Sequence, residues 1–116
     1  MLAKGSRLSK HQVEYVLQNG SRSSSRYFFA TTLLSGPAVT LSKPRFAAVV
    51  SKKVAATAVE RNNIRRRAYN AIRGALQATA TLKKPCAMVV VVKKGIQDVS
   101  YNDLVTDIGV LLRPFV

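Results

Sequence analysis

An unbroken apolar run, AMVVVV at residues 87–92, limits the possible folds more than any other segment of the chain. Six residues are too few for a helix of ordinary length, and apolar side chains throughout indicate a strand that is buried on both faces. We therefore expect this strand at the centre of a sheet. The run is also far shorter than the roughly 20 residues that cross a bilayer, so we expect no transmembrane helix and no membrane partner.

Three hydroxyl side chains at N-cap positions predict three helices. They are Ser9, with Gln12 completing a capping box for a helix over residues 10–18, Thr57 for a helix to about residue 77, and Ser100 for a last helix. In the two longer helices, aliphatic residues recur at the helical period of 3.6, and each helix therefore has one face to bury. These residues are Ile64, Ala68, Ala71, Ile72 and Ala75 in one helix, and Leu104, Val105, Ile108, Leu111 and Leu112 in the other.

Two further segments, 27–34 and 45–51, are rich in aromatic and β-branched residues and predict neighbouring antiparallel strands joined by a loop with a basic tip. The serine-rich residues 21–26 suit a loop or a short edge strand. The order of elements predicts an α/β (α+β) two-layer sandwich, in which the long helix and the last helix cover a small mixed sheet. We expect residues 1–116 to form a single domain.

Charge indicates the kind of partner. The chain carries 19 Lys and Arg against 5 Asp and Glu, a formal net charge of +14. A polyanion neutralises such a surface and releases condensed counterions, so RNA is the expected partner. The first residues lack the apolar core of a secretory signal, which predicts a cytoplasmic protein; a transit peptide is the rival interpretation.

The densest charge lies in SKKVAATAVERNNIRRR, residues 51–67, which holds a single acid, Glu60. Like charges at i and i+4 repel one another unless an external anion neutralises them, and arginine forks match phosphate oxygens. A solvated helix face is the simpler alternative, but such faces usually alternate acids and bases. Residues 62, 66, 69 and 73 form one arc that we expect to face outward. The predicted RNA-binding residues are Lys52, Lys53, Arg61, Asn62, Asn63, Arg65, Arg66, Arg67 and Arg73.

Catalytic groups are scarce. The chain has one histidine, His11, and one cysteine, Cys86, which leaves no disulfide and no conventional zinc site. Its five acids do not form the carboxylate cluster of a two-metal nuclease. We therefore expect no catalytic residue, no metal bound by the protein alone and no small-molecule substrate.

The segments VVSKKV and RNNIRRR, together with RLSKHQVEYVLQNG and MVVVVKKGIQDVSYNDL, resemble the protein subunit of bacterial ribonuclease P over nearly the whole chain. The resemblance implies a left-handed βαβ crossover in a ribosomal protein S5 domain 2-like fold. It also implies an RNA subunit that carries out the cleavage of precursor tRNA with Mg²⁺, and a protein that binds this RNA through Arg61, Asn62, Arg65 and Arg66. A structural RNA-binding protein of the ribosome or of another ribonucleoprotein is the alternative function.

The same resemblance implies a cleft between the first helix and the sheet that binds the single-stranded 5′ leader. The matching positions are Val13, Leu17, Phe28, Ala30 and Ser51. Aromatic residues are usual at three of them, and here Phe28 is the main expected stacking residue. Asn63 stands where the family's second arginine of RNR is usual, and Ala55 stands where a glycine is usual.

Overall fold

A computed structural model describes residues 7–34, 44–78 and 86–115. Within these ranges the chain forms three helices and four strands. The helices are α1 (Lys10–Asn19), α2 (Ala58–Ala78) and α3 (Tyr101–Leu112), and the strands are β1 (Ser21–Ser24), β2 (Phe28–Leu34), β3 (Arg45–Val49) and β4 (Cys86–Val92). Short 3₁₀ turns at Ile96–Asp98 and Arg113–Phe115 precede and follow α3.

The strands form one mixed sheet in the order β1-β2-β4-β3. β4 pairs antiparallel with β2 and parallel with β3, so the predicted interior position of the apolar run is confirmed. The prediction that β2 and β3 are paired neighbours is wrong, because β4 lies between them. A strand that is apolar on both faces gains most from the interior position, and α2 connects β3 to it as a βαβ unit. The predicted basic loop tip, residues 35–43, lies outside the described residues.

One face of the sheet is closed by α2 and α3, as predicted. Phe28, Phe46 and Met88 from the strands pack there against Ile72 and Ile108 from the two helices, and all five side chains are fully buried. The opposite face is crossed by α1, whose Val16 packs on the odd-numbered residues of β3 and β4 in a smaller cluster. This second cluster leaves part of the sheet uncovered.

The N-caps are those that the sequence predicts. Ser9 and Gln12 form the reciprocal capping box, Thr57 accepts from the backbone of Glu60 at 3.2 Å, and Ser100 accepts from that of Asp103 at 3.2 Å. These caps satisfy backbone N–H donors that have no partner within a helix. Each helix therefore begins directly after its capping residue.

The predicted outward arc of α2 is wrong at one residue. Tyr69 is only 8% exposed and belongs to the main core cluster, whereas Asn62, Arg66 and Arg73 on the same arc are exposed. The chain segment around Arg7, which runs beside β3 before α1 begins, lies next to this part of α2, and Arg7 lines one cavity together with Tyr69. A helical wheel contains no information about such a distant neighbour.

Candidate nucleic-acid interface

The basic residues of α2 fall into two groups, and the first group is bonded to the protein itself. The Arg61 guanidinium donates to the carbonyl oxygens of Ala55 at 3.0 Å and Ala56 at 2.9 Å. Arg67 donates to the carbonyl oxygens of Ile96 at 3.3 Å and Gln97 at 3.1 Å, and also to that of Val99. These two side chains hold the loops before α2 and before α3, a structural role that the count of basic residues does not reveal.

The second group points to solvent. The side chains of Lys52, Lys53, Arg66 and Arg73 are exposed and make no hydrogen bond or ion pair with any other residue that the structure describes. Arg65 is half-buried and donates to Oδ1 of exposed Asn62 at 2.8 Å, which fixes its guanidinium at the surface. Exposed Asn63 completes the set of predicted polar residues on this helix. The cationic side chains available to an anion are therefore fewer than the sequence suggests.

The turn between β3 and α2 places the two lysines close to the start of the helix. The backbone N–H groups of Val54 and Ala55 donate to the carbonyl of Ser51 at 3.1 and 3.3 Å, and Gln97 Nε2 donates to the carbonyl of Val54 at 3.0 Å. No residue other than glycine has a positive φ in the described ranges, so alanine fits at position 55 without strain. Both lysines thus lie in the short turn that precedes the N-terminus of α2, where the helix dipole is positive.

The uncovered part of the sheet forms a groove beside α1 with a volume of about 410 Å³. We call it the α1 groove, and its lining residues are Leu17, Arg22, Ser23, Phe29, Ala30, Thr31 and Val91. Phe29 is 54% exposed and Leu17 is 38% exposed, so the groove presents one aromatic and one aliphatic surface beside a cation. Aromatic faces of this kind stack single-stranded bases.

Two residues that were predicted to face this cleft point their side chains to the other side of the sheet, although Ala30 still lines the groove. Phe28 is fully buried and Ala30 is 2% exposed, and both side chains belong to the core beneath α2 and α3. Successive side chains of a strand alternate between faces, so Phe29 is the aromatic residue that the groove presents. Of the other predicted cleft residues, Val13 is half-buried against the smaller cluster and Ser51 is exposed at the end of β3.

The turn between β1 and β2 is fixed by two charged residues that the sequence analysis did not select. The buried Asp107 carboxylate of α3 accepts from Ser25 Oγ at 2.6 Å and from the backbone N–H groups of Arg26 at 3.1 Å and Tyr27 at 2.9 Å. Lys93 donates to the carbonyl of Ser25 at 2.6 Å, and its ammonium lies 4.4 Å from the centre of the Phe29 ring. No sequence signal within α3 identifies the Asp107 contact, because its partners in the β1–β2 turn are 80 or more positions away.

Groups that could perform chemistry are dispersed. Across residues 7–34, 44–78 and 86–115, no group of three or more His, Cys, Asp or Glu side chains could hold a metal ion. His11 is exposed on α1, and burial raises the pKa of the Cys86 thiol to about 11, which keeps it protonated at neutral pH. No helix in these ranges is long and apolar enough to cross a membrane.

Comparisons with known proteins agree with this architecture. The family model for ribonuclease P matches residues 2–115. The ribonuclease P protein from Thermotoga maritima superposes with a TM-score of 0.75 at 19% identity, covering 95% of this chain and 97% of that one. The ribonuclease P protein from Staphylococcus aureus superposes with a TM-score of 0.71 at 18% identity, covering 94% of each chain. No curated protein matches the sequence.

Proposed function

The chain belongs to the ribonuclease P protein family, whose general role is in tRNA processing, and we propose that it is the RNA-binding subunit of a ribonuclease P holoenzyme. The observation that carries this proposal is the family match across residues 2–115. In the proposed reaction, the RNA subunit cleaves the phosphodiester bond that joins the 5′ leader to the body of precursor tRNA. The protein stays in the cytoplasm and contributes binding, so the holoenzyme is an endoribonuclease whose chemistry belongs to its RNA.

The exposed cations at the start of α2 are the proposed contact with the RNA subunit. The side chains of Lys52, Lys53 and Arg66 have no partner among the described residues, and Arg65 is held at the surface by Asn62. An arginine fork binds phosphate oxygens with two parallel hydrogen bonds, and a cation that has no internal acid to neutralise it gains most from an external phosphate. Positive charge here also lowers the repulsion between RNA segments, which supports Mg²⁺ binding by the RNA itself.

The α1 groove is the proposed site for the leader. It is open, it lies between α1 and the sheet, and Phe29 offers a ring for stacking while Leu17 offers an apolar surface. Arg22 on one wall supplies a cation for the backbone. These contacts do not read base edges, so we expect the groove to bind leaders of many sequences.

The test is cleavage of precursor tRNA by a bacterial ribonuclease P RNA at low magnesium concentration. We expect wild-type protein to stimulate cleavage, Arg65→Ala/Arg66→Ala to lose most of the stimulation, and protein without RNA to be inactive. Arg113→Ala removes an exposed cation outside α2 and should stimulate like the wild type. If no form of the protein stimulates cleavage, a structural role on ribosomal RNA becomes the better function. Cleavage by the protein alone would mean that it contains an active site.

A further inference from the structure

We propose that Asp107 is a positioning residue for the leader site, and that it acts through Ser25 and Lys93 on the ring of Phe29. The inference rests on the proposed function, because it concerns how the α1 groove holds its aromatic side chain. Asp107 and Ser25 lie outside the segments that resemble ribonuclease P. Asp107 belongs to α3 on the closed face of the sheet, whereas Phe29 faces the groove on the other side.

Ser25 connects the two faces at the turn between β1 and β2. Its hydroxyl lies 2.6 Å from Asp107 Oδ2 and 3.3 Å from the carbonyl oxygen of Phe28, so the carboxylate is the main acceptor of its proton. Its carbonyl oxygen accepts from Lys93 Nζ at 2.6 Å. One residue is therefore held by a carboxylate through its side chain and by an ammonium group through its backbone.

The carboxylate fixes this turn from a buried position, since Asp107 is only 8% exposed. Its donors are the Ser25 hydroxyl and the backbone N–H groups of Arg26 and Tyr27, which are consecutive residues. Hydrogen bonds to a charged acceptor are stronger than those between neutral groups, and three of them restrict the turn more than one does. The position of the Ser25 carbonyl thus depends on α3, although the residues that line the groove come from α1 and the sheet.

Lys93 transmits this position to the ring. It lies two residues after Val91, which lines the groove, so its side chain points to the same face as Phe29. The ammonium is 4.4 Å from the centre of the Phe29 ring, within the range of a cation–π interaction. A lysine side chain is long and flexible, and the bond to the Ser25 carbonyl selects the conformation in which the ammonium lies against the ring.

The consequence is a lower cost of ordering the ring when the leader binds. An exposed phenylalanine that moves between rotamers must be immobilised before a base can stack on it, and immobilising one side chain weakens binding by about two- to tenfold. The ammonium occupies one face of the Phe29 ring and holds it, which leaves the other face ready for a base. Asp107 thus raises the affinity for the leader without contact with it.

The experiment exploits the sign of the charge change in Asp107→Asn. Loss of an acid makes the chain more basic, so electrostatics alone predicts tighter binding of any RNA. The positioning role predicts weaker binding of the leader, because one carboxylate oxygen becomes an NH₂ group that cannot accept a hydrogen bond.

The quantity measured is the Kd of the reconstituted holoenzyme for mature tRNA divided by its Kd for precursor tRNA. This ratio should fall about two- to tenfold in Asp107→Asn and less in Ser25→Ala, which loses only the hydroxyl bond. Asp103→Asn makes the same charge change in the exposed first turn of α3 and should keep the wild-type ratio. In a Lys93→Met background, Asp107→Asn should lower the ratio no further, because both act on the same ring.

Two controls separate positioning from damage to the fold. The affinity of Asp107→Asn protein for the RNA subunit should not fall, whereas a loss of structure would lower it. In the protein without RNA, the Lys93 protons next to the ammonium should show an upfield NMR shift from the Phe29 ring. Asp107→Asn should reduce this shift, and Asp103→Asn should leave it unchanged.

A ratio for Asp107→Asn equal to or above that of Asp103→Asn would overturn the positioning role, and so would an unchanged NMR shift of Lys93. The proposed function is rejected by a different result, a wild-type protein that neither stimulates cleavage nor favours the leader-bearing substrate. The NMR shift needs no RNA, so it still decides in that case whether Asp107 holds the ring.

Discussion

The two faces of the sheet differ in how completely they are covered, and neighbouring residues of β2 show the difference most clearly. Phe28 lies beneath α2 and α3 and is fully buried, whereas Phe29 lies beside α1 and is 54% exposed. Two helices close one face, and a single ten-residue helix leaves part of the other open. The same residue type therefore stabilises the core at one position and is available to a ligand at the next.

Two adjacent arginines of α2, Arg66 and Arg67, repeat this contrast. Arg67 is bonded to three carbonyl oxygens of the segment before α3, and the Arg66 side chain has no bonded partner among the described residues. Charge count alone treats the two as equals. Their surroundings divide them into an arginine bonded to the fold and an arginine that is available to a ligand, and variants of the two test that division.

The largest expected effect comes from truncating the two phenylalanines separately. Phe28→Ala removes a fully buried ring and should lower the free energy of unfolding by about 3–5 kcal/mol, whereas Phe29→Ala should cost less than about 1 kcal/mol. Denaturant unfolding of both variants measures the difference, with Phe28→Leu as an intermediate that keeps an apolar side chain. Equal losses for the two alanine variants would show that the faces are equally closed.

A smaller loss is expected from Asp107→Ala, which tests how the open face is held in place. Removing a carboxylate that accepts three hydrogen bonds should cost about 3 kcal/mol, because two backbone N–H groups lose their partner. Asp103→Ala, in the exposed first turn of the same helix, should cost no more than about 1 kcal/mol. If both variants unfold at the same denaturant concentration, the β1–β2 turn does not depend on Asp107.

The arginine pair should separate stability from binding. Arg67→Ala should lower the free energy of unfolding by about 1–2 kcal/mol, and Arg66→Ala should change it by no more than about 0.5 kcal/mol. Affinity for ribonuclease P RNA should fall clearly with Arg66→Ala. A variant series in which Arg66 alters stability and Arg67 does not would reverse the assignment.

The smallest effect at neutral pH is expected at Cys86, on the strand that is closed on both faces. Burial raises its pKa to about 11 from the ordinary value of 9.0. Between these two pH values the thiol stays protonated in the folded protein, whereas the unfolded chain loses this proton. The unfolded state then binds fewer protons, and stability should fall as the pH rises from about 9 to about 11. Iodoacetamide at pH 8 should modify Cys86 slowly, and a Ser24→Cys/Cys86→Ala variant, with its thiol on an exposed strand, rapidly.

Local features of this fold could be predicted from the sequence because their causes are local. The three N-caps, the aliphatic stripes of α2 and α3 and the buried nature of β4 each depend on residues within a few positions of one another. The alternation in β2 was equally visible, but alternation defines two sets of side chains without saying which set faces which layer. Phe28 was therefore assigned to the wrong face.

Contacts between distant segments account for the rest. Three features join residues that no short pattern connects: the position of β4 between β2 and β3, the Asp107 contact, and the bridge that pairs Arg7 with Phe46. The internal bonds of Arg61 and Arg67 belong to the same class, since their carbonyl partners lie in loops. Sequence identifies the basic region, and only the fold shows which of its cations are available to RNA.

We propose that the half-covered face of the sheet binds the leader. The most direct test of this proposal compares the affinity of the reconstituted holoenzyme for precursor tRNA and for mature tRNA without the leader, using wild-type protein and Phe29→Ala. We expect wild-type protein to confer a preference for the leader-bearing substrate, and Phe29→Ala to lose most of it while still binding the RNA subunit. An undiminished preference in Phe29→Ala would contradict the assignment of the leader to the α1 groove.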